Sequence, residues 1–331
     1  MKAKLTDRPF DDPDWVFERK LDGIRASVRR QGDEVTLTSR TGKGLTPAYP
    51  ELVEALAADP APRFLADGEI VAFDGSRTSF ERLQGRIGVH DPDLARLTGI
   101  PVFLYLFDLL EFDGHDLTGL PLRRRKAALR RALAFAGPIR YTPHRNEHGE
   151  RFFREACRKG WEGLIAKRAE SPYVHGRSRD WLKLKCSFEQ ELVIGGFTPP
   201  AGSRSRFGAL LVGYHEGGDL RFAGKVGTGF SQRALDRLGD RLEALEQPRS
   251  PFTAGSGLPR AARWVKPELV GQFAFGEWTR DGKLRHPRYL GLREDKPAAE
   301  VVREQPLPGG GPAPGRPGAV SAGSARGSGA S

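Results

Sequence analysis

The sequence predicts an α+β protein of two domains. The larger first part mixes strands with flanking helices, and the smaller second part is mostly β with one helix. Three observations lead there. The chain has 331 residues, more than one ordinary core organises. Short alternating or apolar runs recur from Trp15 to Lys185, separated by amphipathic helical stretches. Near Ser187 the composition changes, and the runs beyond it are joined by Gly- and Pro-rich loops. The 38% hydrophobic and 29% charged fractions are those of a soluble globular protein. No apolar run approaches a membrane span, and no apolar stretch follows Lys2 and Lys4 to make a secretory signal. With two cysteines, Cys157 and Cys186, a disulfide framework and a Cys-x-x-Cys knuckle are excluded; both are expected as buried, reduced thiols in a cytoplasmic protein. A net charge of +11 points to a polyanionic partner, most simply nucleic acid.

The elements follow in order. Trp15 to Lys20 reads as a strand, entering the tight turn of Glu18-Arg19-Lys20-Leu21-Asp22-Gly23-Ile24-Arg25. Gln31-Gly32-Asp33 turns a hairpin whose return strand ends in Ser39-Arg40-Thr41-Gly42-Lys43. Residues 50–58 form a short helix, and 64–73 a strand containing Asp67-Gly68-Glu69. Acids in apolar surroundings are unfavourable unless they meet a cation or a hydroxyl. Residues 102–110 form a buried strand interrupted by Asp108. Residues 122–135 form a basic amphipathic helix with Leu122, Leu129 and Leu133 inward, its arginines facing phosphates or solvent. A helix over 150–159 precedes the strand Glu162-Gly163-Leu164-Ile165-Ala166-Lys167. In Trp181-Leu182-Lys183-Leu184-Lys185, alternation puts both lysines on one strand face, where an anion between them would relieve their repulsion. Beyond Ser187, strands over 189–198, 207–215, 220–226 and 270–278 accompany one helix. Its N-cap is Ser231 and its stripe is Leu235, Leu238, Leu242 and Leu245. Such a set suits an oligonucleotide-binding (OB) barrel. The turn around Lys225 is Gly-rich but lacks Walker spacing, so it is not a phosphate loop. The Gly-, Pro- and Ala-rich end of the chain is expected to be a disordered tail.

Lys20-Leu21-Asp22-Gly23-Ile24-Arg25 fits the pattern Lys-x-Asp-Gly-x-Arg. With Asp67-Gly68-Glu69, the Phe107-Asp108 strand, Glu162 to Lys167, Trp181 to Lys185 and Arg293-Glu294-Asp295-Lys296, it makes six segments in a set order. They resemble motifs I, III, IIIa, IV, V and VI of the covalent nucleotidyltransferases. The whole resembles the ligase module of bacterial end-joining ATP-dependent DNA ligases, including Pro9 to Trp15 and Gly291 to Ala298. The resemblance implies an adenylation domain with antiparallel sheets and flanking helices over 1–187, an OB domain over 188–303, and a tail over 304–331. It makes Lys20 the nucleophile and Glu18 the reader of the adenine amino group. It puts Arg25 near the ribose and the nucleic acid, Arg40 near nucleotide and DNA, and Phe107 against the purine. Glu69 would contact the ribose or a metal, Glu162 a metal, and Asp22 would be a weaker metal candidate. Lys167 would lie near the phosphate. Lys183 and Lys185 would clamp the α-phosphate and depress the pKa of Lys20. Arg293 and Lys296 would orient the pyrophosphate, and Lys225 could reach DNA.

The implied reaction uses ATP and Mg²⁺, or Mn²⁺. Lys20 takes AMP from ATP and passes it to the 5′-phosphate at a break in duplex DNA. The 3′-hydroxyl then displaces AMP. Duplex DNA with nicks or ends is the implied partner, and a Ku-like end-binding protein is suggested by the family alone. The resemblance also implies a monomer beside the nucleoid with no membrane contact. A capping-type guanylyltransferase, which would use GTP, and an RNA ligase share parts of the pattern. A DNA-binding module without activity would need these motifs decayed, and they are intact.

Overall fold

The computed structural model describes residues 1–186, 188–200 and 205–305. Two sheets dominate the first part. One has five strands in the spatial order Lys2–Leu5, Arg177–Lys185, Gly163–Arg168, Trp15–Lys20, His144–Asn146. The other runs Glu34–Ser39, Ile24–Gln31, Arg63–Asp74, Val102–Phe112, His115–Asp116, with Arg77–Thr78 and Ile139–Tyr141 attached. Pairing is antiparallel as expected, with two exceptions among the described residues. Lys2–Leu5 lies parallel to Arg177–Lys185, and Ile139–Tyr141 parallel to Val102–Phe112. Neither three- to four-residue edge is long enough to show a period of its own in the sequence.

Alternation divides each sheet. In the five-stranded sheet, Phe17, Leu164, Ala166, Leu182 and Leu184 form one buried cluster with Trp15 and the helix Gly149–Arg158. Glu18, Lys20, Lys167, Lys183 and Lys185 therefore share the opposite face. In the larger sheet, Ala26, Ala66, Ile70, Leu104 and Leu106 pack against the helices Pro50–Ala57 and Leu122–Ala132. That leaves Arg25, Asp67 and Glu69 on the other side. The two polar faces look into one crevice.

The second part is a six-stranded sheet ordered Asp219–Val226, Leu210–Glu216, Phe188–Phe197, Arg263–Phe275, Glu246–Gln247. Arg263–Phe275 carries Arg288–Leu292 beyond Glu246–Gln247 on the same edge. The helix Gln232–Ala244 starts at Ser231, whose hydroxyl accepts from Ala234 N at 3.2 Å, and buries Leu235, Leu238 and Leu242. Among the described residues no helix is long and apolar enough to cross a membrane.

Two expectations change. Cys157 and Cys186 are not separate thiols: they are joined in a disulfide between the end of the helix Gly149–Arg158 and the residue after Lys185. Their separation of 29 residues carried no hint that the helix returns to that strand end. Glu304, expected to begin the tail, is half-buried and ion-paired to Lys183 and Lys185. The rest of that tail, from residue 306, lies outside the described residues.

Candidate active site

Register builds the site. Across three adjacent strands, Lys20 pairs with Gly163 and Gly163 with Lys185, while Glu18 pairs with Ile165 and Ile165 with Lys183. Paired residues point to the same face, so both lysines of the last strand stand in rows with Lys20 and Glu18. Gly163 suits its place in the middle row: its φ is +150° and a Cβ there would meet Leu184 O at 1.8 Å. From the larger sheet, Arg25 lies opposite Glu69. The crevice, about 1070 Å³ with its open mouth, is lined by Glu18, Lys20, Arg25, Arg40, Glu69, Phe107, Lys167, Lys183, Arg293 and Lys296.

Lys20 Nζ lies 2.5 Å from Glu162 Oε1. The expected depression of its pKa is not found. Burial does favour the neutral amine, but Glu162, then Asp22 and Glu69, outweigh it and raise the pKa above the ordinary lysine value. The charge against the nucleophile candidate is the acid Glu162, and the motif V lysines face Glu304. Lys183 and Lys185 each reach one oxygen of that carboxylate, the latter at 3.0 Å. Alternation had predicted an anion there, and in this state it is the chain's own. Burial, then Lys185, lowers Lys183 to about 8.

The acids respond in the opposite sense. Burial raises Glu69 to about 8, opposed by Lys20, Arg293 and Arg25. Burial, then Glu162 and Glu189, raises Asp22 to about 7. Glu162 Oε2 is buried with no hydrogen-bond partner among the described residues. An orphaned carboxylate oxygen among acidic oxygen donors fits a hard divalent cation. Among the described residues no three acidic, His or Cys side chains converge on one point. The protein would therefore offer such an ion one or two carboxylates, and substrate phosphates and water would supply the rest.

Most of the other predicted side chains have partners within the chain. Arg25 is locked onto Asp67, with Nε to Oδ1 at 3.0 Å, and Tyr173 OH donates to Asp67 Oδ2 at 2.8 Å. Lys167 is not in the row of Lys20; it sits between Phe107 and Trp181, 4.2 and 4.0 Å from their ring centres, and 2.6 Å from Glu18 Oε2. Asp108 is wholly buried and takes a two-pronged contact from Arg125, at 2.7 and 3.0 Å. Arg40 donates to Asp295 O at 3.1 Å. Arg293 forks onto Asp295 at 2.9 and 3.0 Å and reaches Gly23 O at 3.2 Å. Lys296 pairs with Glu191 at 2.9 Å. Lys225 is exposed and outside the crevice lining. Sequence reasoning missed Asp67, Trp181, Glu191, Lys126 and Glu304 as site residues. Two of these carried a signal: Asp67 is an acid inside an apolar strand, and Lys126 falls on the leucine stripe of its helix.

Comparisons with known proteins give the family and the fold. The family model described as ATP dependent DNA ligase domain matches residues 1–185, and that of the ATP dependent DNA ligase C terminal region matches 203–296. The multifunctional non-homologous end joining protein LigD of Pseudomonas aeruginosa is 37% identical over 315 residues, covering 92% of this chain and 36% of its own length. The LigD DNA repair protein of Mycobacterium tuberculosis is 40% identical over 300 residues, covering 88% and 37%. This chain thus spans little more than a third of these curated relatives. A solved structure of mycobacterial DNA ligase D complexed with ATP and MES is 34% identical. It covers 91% of this chain and 98% of that one, with a TM-score of 0.63. The match carries the fold: a nucleotidyltransferase domain followed by an OB-fold domain. A lysine framed by carboxylates, the facing cations and these matches along nearly the whole described chain lead to one conclusion: the chain belongs to the ATP-dependent DNA ligase family.

Proposed function

We propose that this chain seals 5′-phosphate/3′-hydroxyl breaks in duplex DNA through a lysyl-AMP intermediate on Lys20. The observation that carries the reading is the row Lys20–Gly163–Lys185 beside Glu18–Ile165–Lys183. It gives one nucleophile two fixed cations on the same sheet face. An in-line attack on an α-phosphate needs the neutral amine, and Glu162, at 2.5 Å, is within reach of its proton. Lys183 and Lys185 hold the phosphoryl oxygens as charge develops, once Glu304 has yielded its place. Arg293 and Lys296 come from the second domain toward the pyrophosphate side. Glu18 and Phe107 lie at the base end, two residues along the strand from Lys20 and on the facing sheet. Glu69 and Glu162 would hold Mg²⁺ or Mn²⁺, which would supply charge neutralisation at the phosphates.

The functional units of this reading are 1–187, 188–303 and a tail that begins beyond Glu304, with the second rotating between nucleotide and DNA. Duplex contacts are to phosphates, Arg40 and Lys225 among them, so binding is salt-dependent and indifferent to sequence. A monomer in the bacterial cytoplasm, working at end joining beside a Ku-like protein, completes the reading; the relatives' role in end joining supports it. The test is the intact mass of the purified protein after incubation with Mg²⁺ and ATP or GTP, alongside Lys20→Ala. One added AMP, from ATP alone and absent in the variant, is expected. Added GMP, or no adduct on a protein whose starting mass shows no AMP, overturns the reading.

A further inference from the structure

The helix Leu122–Ala132 holds a lysine that its overall charge hides. Leu122, Lys126, Leu129 and Leu133 are spaced four, three and four apart, one stripe of a helix. Lys126 therefore turns inward with the leucines and is 1% exposed, while Arg123, Arg124, Arg130 and Arg131 are not buried. Its Nζ donates to Glu18 Oε1 at 2.5 Å and to Thr142 O at 3.1 Å, with the Tyr141 ring 4.8 Å away. The other oxygen of Glu18 meets Lys167 at 2.6 Å. One buried carboxylate thus holds two buried ammonium groups. A single cation would neutralise it; the second fixes its charge and the plane of its oxygens. Glu18 and Thr142 line the crevice beside Phe107 and Trp181, and Thr142 Oγ1 is buried with no partner among the described residues. This end of the crevice is flat-walled, aromatic and rich in directed polar atoms, as a purine requires.

We propose that Lys126 is a positioning residue for nucleobase choice: it holds Glu18 ionised and oriented, so that the carboxylate favours the 6-amino group of adenine over a 6-oxo purine. The inference rests on the reading that this crevice takes ATP. An ionised carboxylate only accepts hydrogen bonds, whereas a protonated one can donate. It therefore welcomes an N–H donor and repels O6. Without Lys126, Glu18 keeps one cation, and a buried carboxyl so weakly held can take up a proton or turn. Either change lets it face O6.

The test measures nucleotidyl transfer to Lys20 from ATP and from inosine triphosphate. It compares wild type with Lys126→Met, Lys126→Arg, Glu18→Gln and the double variant Glu18→Gln/Lys126→Met. In Lys126→Met, KM for ATP should rise about tenfold, as for a lost charged hydrogen bond. The ratio of kcat/KM for ATP to that for inosine triphosphate should fall by a similar factor, with kcat for ATP nearly unchanged. Lys126→Arg should keep most of the preference. Because Lys126 acts through Glu18, the double variant should match Glu18→Gln alone. Equal losses for both nucleotides, an unchanged ratio, or a wild type without preference would overturn the proposal. If Lys126→Met fails to fold, the double variant lacks both buried charges and decides the matter: any further change in ratio beyond Glu18→Gln refutes it. A wild type that takes neither nucleotide would instead remove the ligase reading itself.

Discussion

Lys20 is the residue whose surroundings least resemble those of an activated nucleophile. Its ammonium is held by Glu162, with Asp22 and Glu69 behind it. Each unit of pKa shift changes the neutral fraction tenfold. Replacing Glu162 by Gln removes the largest stabiliser of that ammonium. Acylation of Lys20 by acetic anhydride at pH 8, without nucleotide or metal, should then rise about tenfold when followed by peptide mass. An unchanged rate would mean that Glu162 does not control this amine. Lys183 behaves in the opposite way. Burial and Lys185 bring it to about 8, so its charge is half lost at that pH and goes on falling as pH rises above it. ATP affinity of the Lys20→Ala variant, measured calorimetrically, should fall severalfold between pH 7 and pH 9. Lys183→Arg keeps its charge over this range and should flatten the fall.

Among the elements, the helix Leu122–Ala132 departs furthest from its sequence pattern. Six basic residues suggested a surface for phosphates or water, yet Arg125 and Lys126 are buried. Arg125 holds Asp108 with two nitrogens and gives another to Ser171 O at 3.0 Å. Removing one member of a buried ion pair strands the other, at about 3–5 kcal/mol. Arg125→Ala should lower unfolding free energy by that amount in urea titration, far more than Arg124→Ala on the exposed face. Equal effects of the two substitutions would contradict this burial. The helix was legible from its leucine spacing. So was the inward turn of Lys126; the partners of its buried cations were not, because they lie 17 and 108 residues away.

At the scale of the whole molecule, the two domains are held together around Glu294. Lys43 of the first domain reaches it at 2.6 Å and Arg241 of the second at 2.8 Å. Gln84 adds two hydrogen bonds to Leu292, at 2.9 and 3.1 Å. This clasp sets Arg293 and Lys296 at the crevice, the arrangement that our proposal assigns to lysyl-AMP formation. Glu294→Gln should slow AMP transfer to Lys20 roughly tenfold, about 1.4 kcal/mol of barrier. Under the proposed rotation of the second domain, sealing of a nick already carrying AMP should barely change. Equal slowing of both steps, in rapid-quench assays, would refute a clasp specific to closure.

The sequence by itself determined which segments form the strands around the site, the shared face of Lys183 and Lys185, and the family. Those properties depend on local alternation and on short segments such as Lys20 to Arg25 and Trp181 to Lys185, whose geometry is settled within a few residues. Tertiary structure alone decided what each charge meets. Glu162 comes to Lys20 from 142 positions away in the chain, Glu304 to Lys183 from 121, and Cys186 to Cys157 across two strands. Electrostatic energy depends on separation in space and on burial, and neither is written in the spacing of residues along the chain. That is why the lysine was found and the sign of its pKa shift was not.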